Sequence, residues 1–237
     1  MRISSEGLID PASITGIVLA GGRGSRMGGV DKGLVTFQGE TLAARAVRQL
    51  APQVGPLLIS ANRHLTDYAR LGHVISDAMR SGELDAKTKT KTEPASEAAP
   101  EAALAFAGPL AGILSGLRAA KTPFLACVPC DCPFFPADLI ARLSAPFADS
   151  ACTLSIAYAP DPDDPETMRA HPVFALMRTT LADSLAEQLA AGERRLQSWC
   201  SRHTAIAVPF EDMHAFYNMN TLQARDAAQA GSPDLSI

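Results

Sequence analysis

A short apolar run, Ile14 to Leu19, opens into Leu19-Ala20-Gly21-Gly22-Arg23-Gly24-Ser25-Arg26-Met27-Gly28-Gly29-Val30-Asp31-Lys32-Gly33. This junction constrains the fold more than any other part of the chain. The apolar run reads as a buried strand. Five glycines then fall within nine positions, with Arg26 among them and Lys32 just after. A glycine-rich turn after a first strand lets backbone N–H groups approach phosphate oxygens without side-chain interference. Arg26 adds a forked donor and Lys32 a mobile point charge, which a polyphosphate needs. The junction therefore predicts a site for a nucleoside triphosphate.

Two better-known phosphate motifs fail on spacing. A dinucleotide fingerprint needs G-x-G-x-x-G opening a helix. Gly22 and Gly24 supply its first two positions, but Met27 stands where the third glycine belongs. A P-loop needs G-x-x-x-x-G-K-[ST]. Gly24 and Gly29 have the right separation, but Val30 and Asp31 follow. A plain surface turn is the remaining alternative, and it leaves Arg26, Asp31 and Lys32 unexplained.

Downstream, strand and helix patterns alternate. Strands are predicted over 14–20, 57–60, 73–76 and 124–128, then near 152–157, 172–177 and 205–208. Helices are predicted from Thr41 through Leu50, over 110–120, from Pro136 through Leu143, and near 178–191, 193–202 and 221–230. Such alternation predicts an α/β fold, a mostly parallel sheet covered on both faces. Residues 81–105 break the pattern. They hold a Lys-Thr alternation over 87–92, then a polar and Ala-rich stretch without large apolar residues through 103. Disorder is the simplest expectation for them. The chain is otherwise read as a single domain over 1–237.

A net charge of −4 gives no case for nucleic acid or an anionic membrane as partner, so a nucleotide site here must use local cations. No apolar run approaches a membrane span. Residues 1–13 carry Arg2, Glu6, Asp10 and Pro11 and show no secretory signal. The five cysteines, an odd number, fit a reducing cytoplasm better than a disulfide framework. Cys127, Cys130 and Cys132 cluster, but no second ligand pair stands near them. Buried structural thiols are expected, not a zinc site.

Asp131 follows the apolar stretch 124–128 and should stand at a strand's carboxyl end, where open α/β sheets bind ligands. A carboxylate there suits Mg²⁺, which takes few protein carboxylates and completes its shell with phosphate oxygens and water. Asp77 also follows a strand. Lys32 would neutralise triphosphate charge, and Arg26 would contact phosphate or the leaving pyrophosphate.

The run from Leu19 to Gly33 resembles the opening segment of the molybdenum cofactor guanylyltransferases, L-A-G-G-x-x-x-R-M-G-G-x-D-K-G. Further segments follow in that family's order: 60–63, 108–112, 129–133, His171-Pro172-Val173, Gly192-Glu193-Arg194-Arg195 and 216–221. Together they span about residues 14 to 228. The resemblance implies a three-layer αβα Rossmann-like nucleotidyltransferase fold. It implies transfer of GMP from GTP to the terminal phosphate of molybdopterin with Mg²⁺. The backbone of Leu19, Ala20, Gly21 and Gly22 would run beside the base and ribose, with Asn62 and Asp77 as further nucleotide contacts. Asn218 and Asn220, with Arg194 and Arg195 as phosphate clamps, would meet the pterin substrate. Residues 81–105 look like an insertion relative to this pattern. Transient contact with molybdoenzymes or other cofactor-biosynthesis proteins belongs to the same expectation.

His171-Pro172 is expected to open a strand and carries no mark of a catalytic base. Three rival readings stay open. One keeps the chemistry with CTP, or with a sugar phosphate as acceptor. Sugar-nucleotide enzymes of this fold, however, typically read L-A-A-G-x-G-T-R-M. A second is a non-catalytic nucleotide-binding or delivery module, which would not need Asp131 and Lys32 together. The third, a dehydrogenase, is disfavoured by the missing glycine.

Overall fold

The computed structural model describes residues 8–20, 31–76, 108–161, 164–216 and 218–219. Its strands are β1 (Ile14–Leu19), β2 (Thr36–Phe37), β3 (Glu40–Thr41), β4 (Leu57–Ser60), β5 (His73–Ile75), β6 (Phe124–Pro129), β7 (Leu154–Asp161), β8 (Asp164–Arg178) and β9 (Ile206–Pro209). The helices are α1 (Leu42–Leu50), α2 (Leu65–Ala69), α3 (Pro109–Ala119), α4 (Leu139–Ser144), α5 (Ala182–Ala190) and α6 (Leu196–Arg202).

Successive side chains of a strand point to opposite faces of the sheet, so a strand covered on both sides must be apolar throughout. In β1, Ile14 and Val18 enter one core and Ile17 the other; in β6, Phe124, Ala126 and Val128 separate in the same way from Leu125 and Cys127. The first core is closed by α1, α2 and α4 through residues such as Leu50, Tyr68 and Leu143. The second is closed by α3, α5 and α6 through Ile113, Leu185 and Trp199. These are the three layers, helix on sheet on helix. In α3, a Cβ on Gly116 would lie 2.7 Å from Ile17 Cδ1. Glycine costs about 1 kcal/mol in a helix interior, and here it lets the helix axis come close to the sheet.

The main sheet has seven strands in the order β5-β4-β1-β6-β8-β7-β9. Pairs β5/β4, β4/β1, β1/β6 and β7/β9 are parallel, whereas β6/β8 and β8/β7 are antiparallel. The sheet is therefore mostly parallel, with a long antiparallel ribbon built into one half. Sequence alternation gave no sign of that ribbon. Its two strands, expected as short pieces near 152–157 and 172–177, run together to Asp161 and back from Asp164.

Two helix starts differ from expectation for the same reason. The helix expected at Pro136 begins at Leu139. The Gln53 side chain takes the Ile140 N–H at 2.9 Å and donates to the Pro136 carbonyl at 3.2 Å. The helix expected from 193 begins at Leu196, because Glu193 Oε1 accepts the N–H groups of Arg194 and Arg195. In both places a side chain takes amides at the start of the helix, where no preceding turn supplies carbonyl partners. The helix expected near 221–230 and the insertion over 81–105 lie outside the described residues.

Candidate active site

Three backbone hydrogen bonds extend the parallel ladder just past its carboxyl ends. Ala20 N donates to Ser60 O at 2.8 Å, Ala61 N to Ile75 O at 2.9 Å, and Cys130 N to Leu19 O at 3.1 Å. They bring Leu19, Ala20, Ala61 and Cys130 onto one rim. Asn62 follows Ala61, and Asp131 follows Cys130. This is the rim where open α/β sheets bind ligands.

Lys32 reaches the same rim from the segment after β1. Its Nζ lies 3.3 Å from Asp131 Oδ2, and the two side chains are 25% and 14% exposed. Residues 99 positions apart are thus joined in a half-buried ion pair. The ammonium and carboxylate are held close, yet remain open to a ligand.

Asp131 is held by elements the sequence reading did not connect with it. Its carbonyl accepts from Met219 N at 2.9 Å. Met219 is 2% exposed and packs with Phe37 and Leu42, which anchors the segment carrying Asn218 beside Asp131. Asn218 itself is exposed. Cys132 Sγ lies 3.9 Å from Asp131 Oδ1 and 3.7 Å from Phe216 O. Burial first, then the Asp131 charge, pushes the Cys130 and Cys132 thiols well up, so both stay protonated. The turn beyond Asp131 is gripped by Arg45, whose Nε donates to Pro133 O at 3.0 Å and whose guanidinium lies over Phe37 and Phe134. Arg45 also pairs with Glu40 at 3.3 Å. The β2–β3 hairpin, closed through Gln38 and Gly39 at positive φ, presents Phe37 and Glu40 for these contacts.

All five cysteines are buried and unpaired by disulfides. Among the described residues, no group of three or more His, Cys, Asp or Glu side chains is arranged to hold a metal ion. A lone rim carboxylate next to a lysine suits a cation bound mainly through phosphate oxygens.

His171 does not open a strand. It lies within β8 at a break in register: Ile156 faces Ala175, but Ala157 faces His171. Pro172, which has no N–H to give a ladder, follows it at the break. The imidazole stacks on Phe216 with centroids 4.9 Å apart. Burial and the nearby Arg169 push its pKa down, so the ring is a neutral packing element.

Arg194 and Arg195 stand in the turn between α5 and α6, on the α3 side of the sheet, rather than in the Lys32–Asp131 ion pair. Both are exposed, and Arg194 Nη1 lies 3.3 Å from Leu189 O. Gly21, Gly22, Arg26, Asp77 and Asn220 lie outside the described residues. Arg45, Tyr68 and Met219 were missed as supports of the site. An arginine on an amphipathic helix, a tyrosine in a short helix and a methionine between asparagines carry no local mark of such a role.

Residues 16–206 match the family described as MobA-like NTP transferase domain. The chain is 48% identical to the molybdenum cofactor guanylyltransferase of Burkholderia ambifaria, covering 88% of this chain and 92% of the relative. It is 46% identical to that of Burkholderia orbicola, with coverage of 89% and 93%. The crystal structure of molybdopterin-guanine dinucleotide biosynthesis protein A from Archaeoglobus fulgidus superposes with a TM-score of 0.60 at 18% identity, over 91% of this chain and 97% of that one. That likeness speaks for the fold alone. The family match and the close relatives decide the matter: the chain belongs to the MobA-like nucleotidyltransferases, among the molybdenum cofactor guanylyltransferases.

Proposed function

We propose that this chain transfers GMP from GTP to the terminal phosphate of molybdopterin, or of its molybdenum form, to give molybdopterin guanine dinucleotide. The observation that carries this reading is the Lys32–Asp131 pair on the carboxyl rim of the parallel strands, directly after the glycine-rich segment. An oxygen of the acceptor phosphate attacks the α-phosphorus of GTP. The bond from that phosphorus to the β-bridging oxygen breaks, and pyrophosphate leaves. A phosphate monoester is already anionic near neutral pH, so no general base is required. Catalysis then reduces to alignment and neutralisation of charge.

Lys32 would balance the charge of the triphosphate, and Arg26 would contact phosphate or the departing pyrophosphate. Asp131 would hold Mg²⁺, which would supply further neutralisation of the phosphate oxygens, and Asp77 would be a further nucleotide contact. Release of Lys32 from Asp131 on nucleotide binding would free both groups for these tasks. The backbone at Leu19, Ala20, Gly21 and Gly22 and the side chain of Asn62 serve the base and ribose. Asn218, tethered near Asp131 through Met219, serves the pterin substrate with Asn220, Arg194 and Arg195. The chain acts as one nucleotidyltransferase domain, with 81–105 as an insertion in it. The unpaired cysteines favour a reducing cytoplasm, and no described helix is long and apolar enough to cross a membrane. Transient handover to molybdoenzymes completes the reading.

The test is pyrophosphate release by purified protein with Mg²⁺ and molybdopterin, comparing GTP with CTP and ATP. Turnover selective for GTP and abolished by chelation is expected. A preference for CTP would overturn the base assignment and keep the chemistry. Tight GTP binding without turnover would favour a delivery module.

A further inference from the structure

Beside Lys32 stands a second, buried network. Asp31 is 9% exposed, and its Oδ1 alone accepts two hydrogen bonds. One comes from Gly33 N at 3.1 Å and the other from the Tyr68 hydroxyl. Tyr68 belongs to α2, 37 positions along the chain, and is fully buried. Burial, then the bond to Asp31, pushes its hydroxyl up, so it remains a donor. A Cβ on Gly33 would collide with Tyr68 Oη. Glycine at this position makes room for the phenol.

Lys32 is therefore bracketed. Asp31 before it and Gly33 after it are joined across it, and Val35 N closes a 3₁₀ turn onto the Lys32 carbonyl at 3.1 Å. The lysine can swing only about its own side chain.

We propose that the Tyr68–Asp31 hydrogen bond is a positioning link that fixes the turn around Lys32 and aims the lysine at the triphosphate without touching substrate. This rests on reading Lys32 as the triphosphate's cation. Both bonds end on one oxygen, so an amide oxygen in the same place can accept them. The link also joins two parts of the nucleotide site, since Tyr68 lies on the helix that follows Asn62.

Three variants and two readouts test it. Tyr68→Phe removes only the donor. Gly33→Ala pushes a methyl into the hydroxyl. Asp31→Asn keeps the accepting oxygen. In Tyr68→Phe, amide hydrogen exchange over 31–35 should speed about tenfold while β1 is unchanged. Its kcat should fall about tenfold with KM for GTP within about threefold of wild type, the signature of a misaligned group. Gly33→Ala should behave alike, and Asp31→Asn should keep most of the wild-type rate and protection. Wild-type exchange and turnover in Tyr68→Phe would overturn the proposal. So would an Asp31→Asn defect as deep as that of Tyr68→Phe. The exchange measurement needs no substrate. If the wild type transfers no GMP but the 31–35 amides still respond, the functional reading fails and the link stands. If the wild type is active and Tyr68→Phe matches it in both readouts, the link fails and the function stands.

Discussion

Among the described residues, the cations assigned to phosphate sit in two regions that are built in opposite ways. Lys32 is held by distant parts of the chain: Asp131 at 99 positions and, through its turn, Tyr68 at 37. The loop opposite is gripped by Arg45 at 88. Arg194 and Arg195 are held by their own neighbourhood. Glu193 accepts both their N–H groups, Leu189 O meets Arg194, and Gln188 reaches Arg195 O at 3.4 Å. The geometry of the first region is a property of the whole fold, and that of the second is a property of one turn. A charge fixed by the fold is preorganised and suits the transition state, where reorganisation costs rate. An exposed arginine on a self-contained turn can adapt to a bound group, so it affects ground-state binding more than turnover. Removing groups from each region should therefore change different kinetic constants.

The largest effect belongs to Asp131. Asp131→Ala removes the carboxylate that would hold Mg²⁺ and leaves Lys32 without this partner. Pyrophosphate release should fall by at least about 10²-fold, carried by kcat, with melting temperature little changed. Loss expressed only in KM would place Asp131 outside the chemistry and erase the contrast between the regions.

Arg45→Ala comes next. It loses a charged hydrogen bond to Pro133 O and contact with two rings, about 2 kcal/mol. In a chain of this size that is a drop of roughly 5 °C in melting temperature. Because the Asp131 loop loosens with it, kcat should fall about tenfold. A destabilised variant with full kcat would show that the loop keeps its shape without Arg45.

Arg194→Ala and Arg195→Ala should leave stability within about 0.5 kcal/mol. Each should raise KM for the pterin substrate several-fold at constant kcat. A fall in kcat from either would mean that the turn is as preorganised as the rim.

This division also explains what was legible beforehand. Strand positions were readable because a strand buried on both faces must be apolar, as in 14–19 and 124–129. Lys32 and Asp131 could be nominated because one closes the glycine-rich segment after β1 and the other follows β6 closely. Their meeting was not legible, because it depends on β1 and β6 being neighbours in the sheet. Arg45 and Tyr68 escaped notice for the same reason: each acts across the fold. The ribbon β7–β8 was hidden because pairing direction leaves no mark on composition. The helix starts at Leu139 and Leu196 were misjudged because the side chains of Gln53 and Glu193 take the amides at those starts, and the one at Gln53 comes from a distant part of the chain.

The smallest effect concerns pH, and it separates packing from chemistry. Burial, then Arg169, lowers the pKa of His171; burial, then Arg202, lowers that of His203. Each has an ordinary value of 6.5. Just below that value the unfolded chain binds more protons than the folded one, so stability rises with pH through this window. The contribution is complete above 6.5 and is lost as pH falls through the folded values. Glu40, lowered mainly by its hydrogen bond to Arg48, has an ordinary value of 4.5 and loses its contribution only below that. Melting temperature should be level above pH about 7, decline gently below 6.5, and decline again below 4.5. In His171→Phe the first decline should be shallower, because a ring still stacks on Phe216 but no longer takes a proton. If that variant instead changed the pH profile of kcat while leaving the melting curve alone, the imidazole would belong to the reaction rather than to the wall behind Cys132 and Asp131.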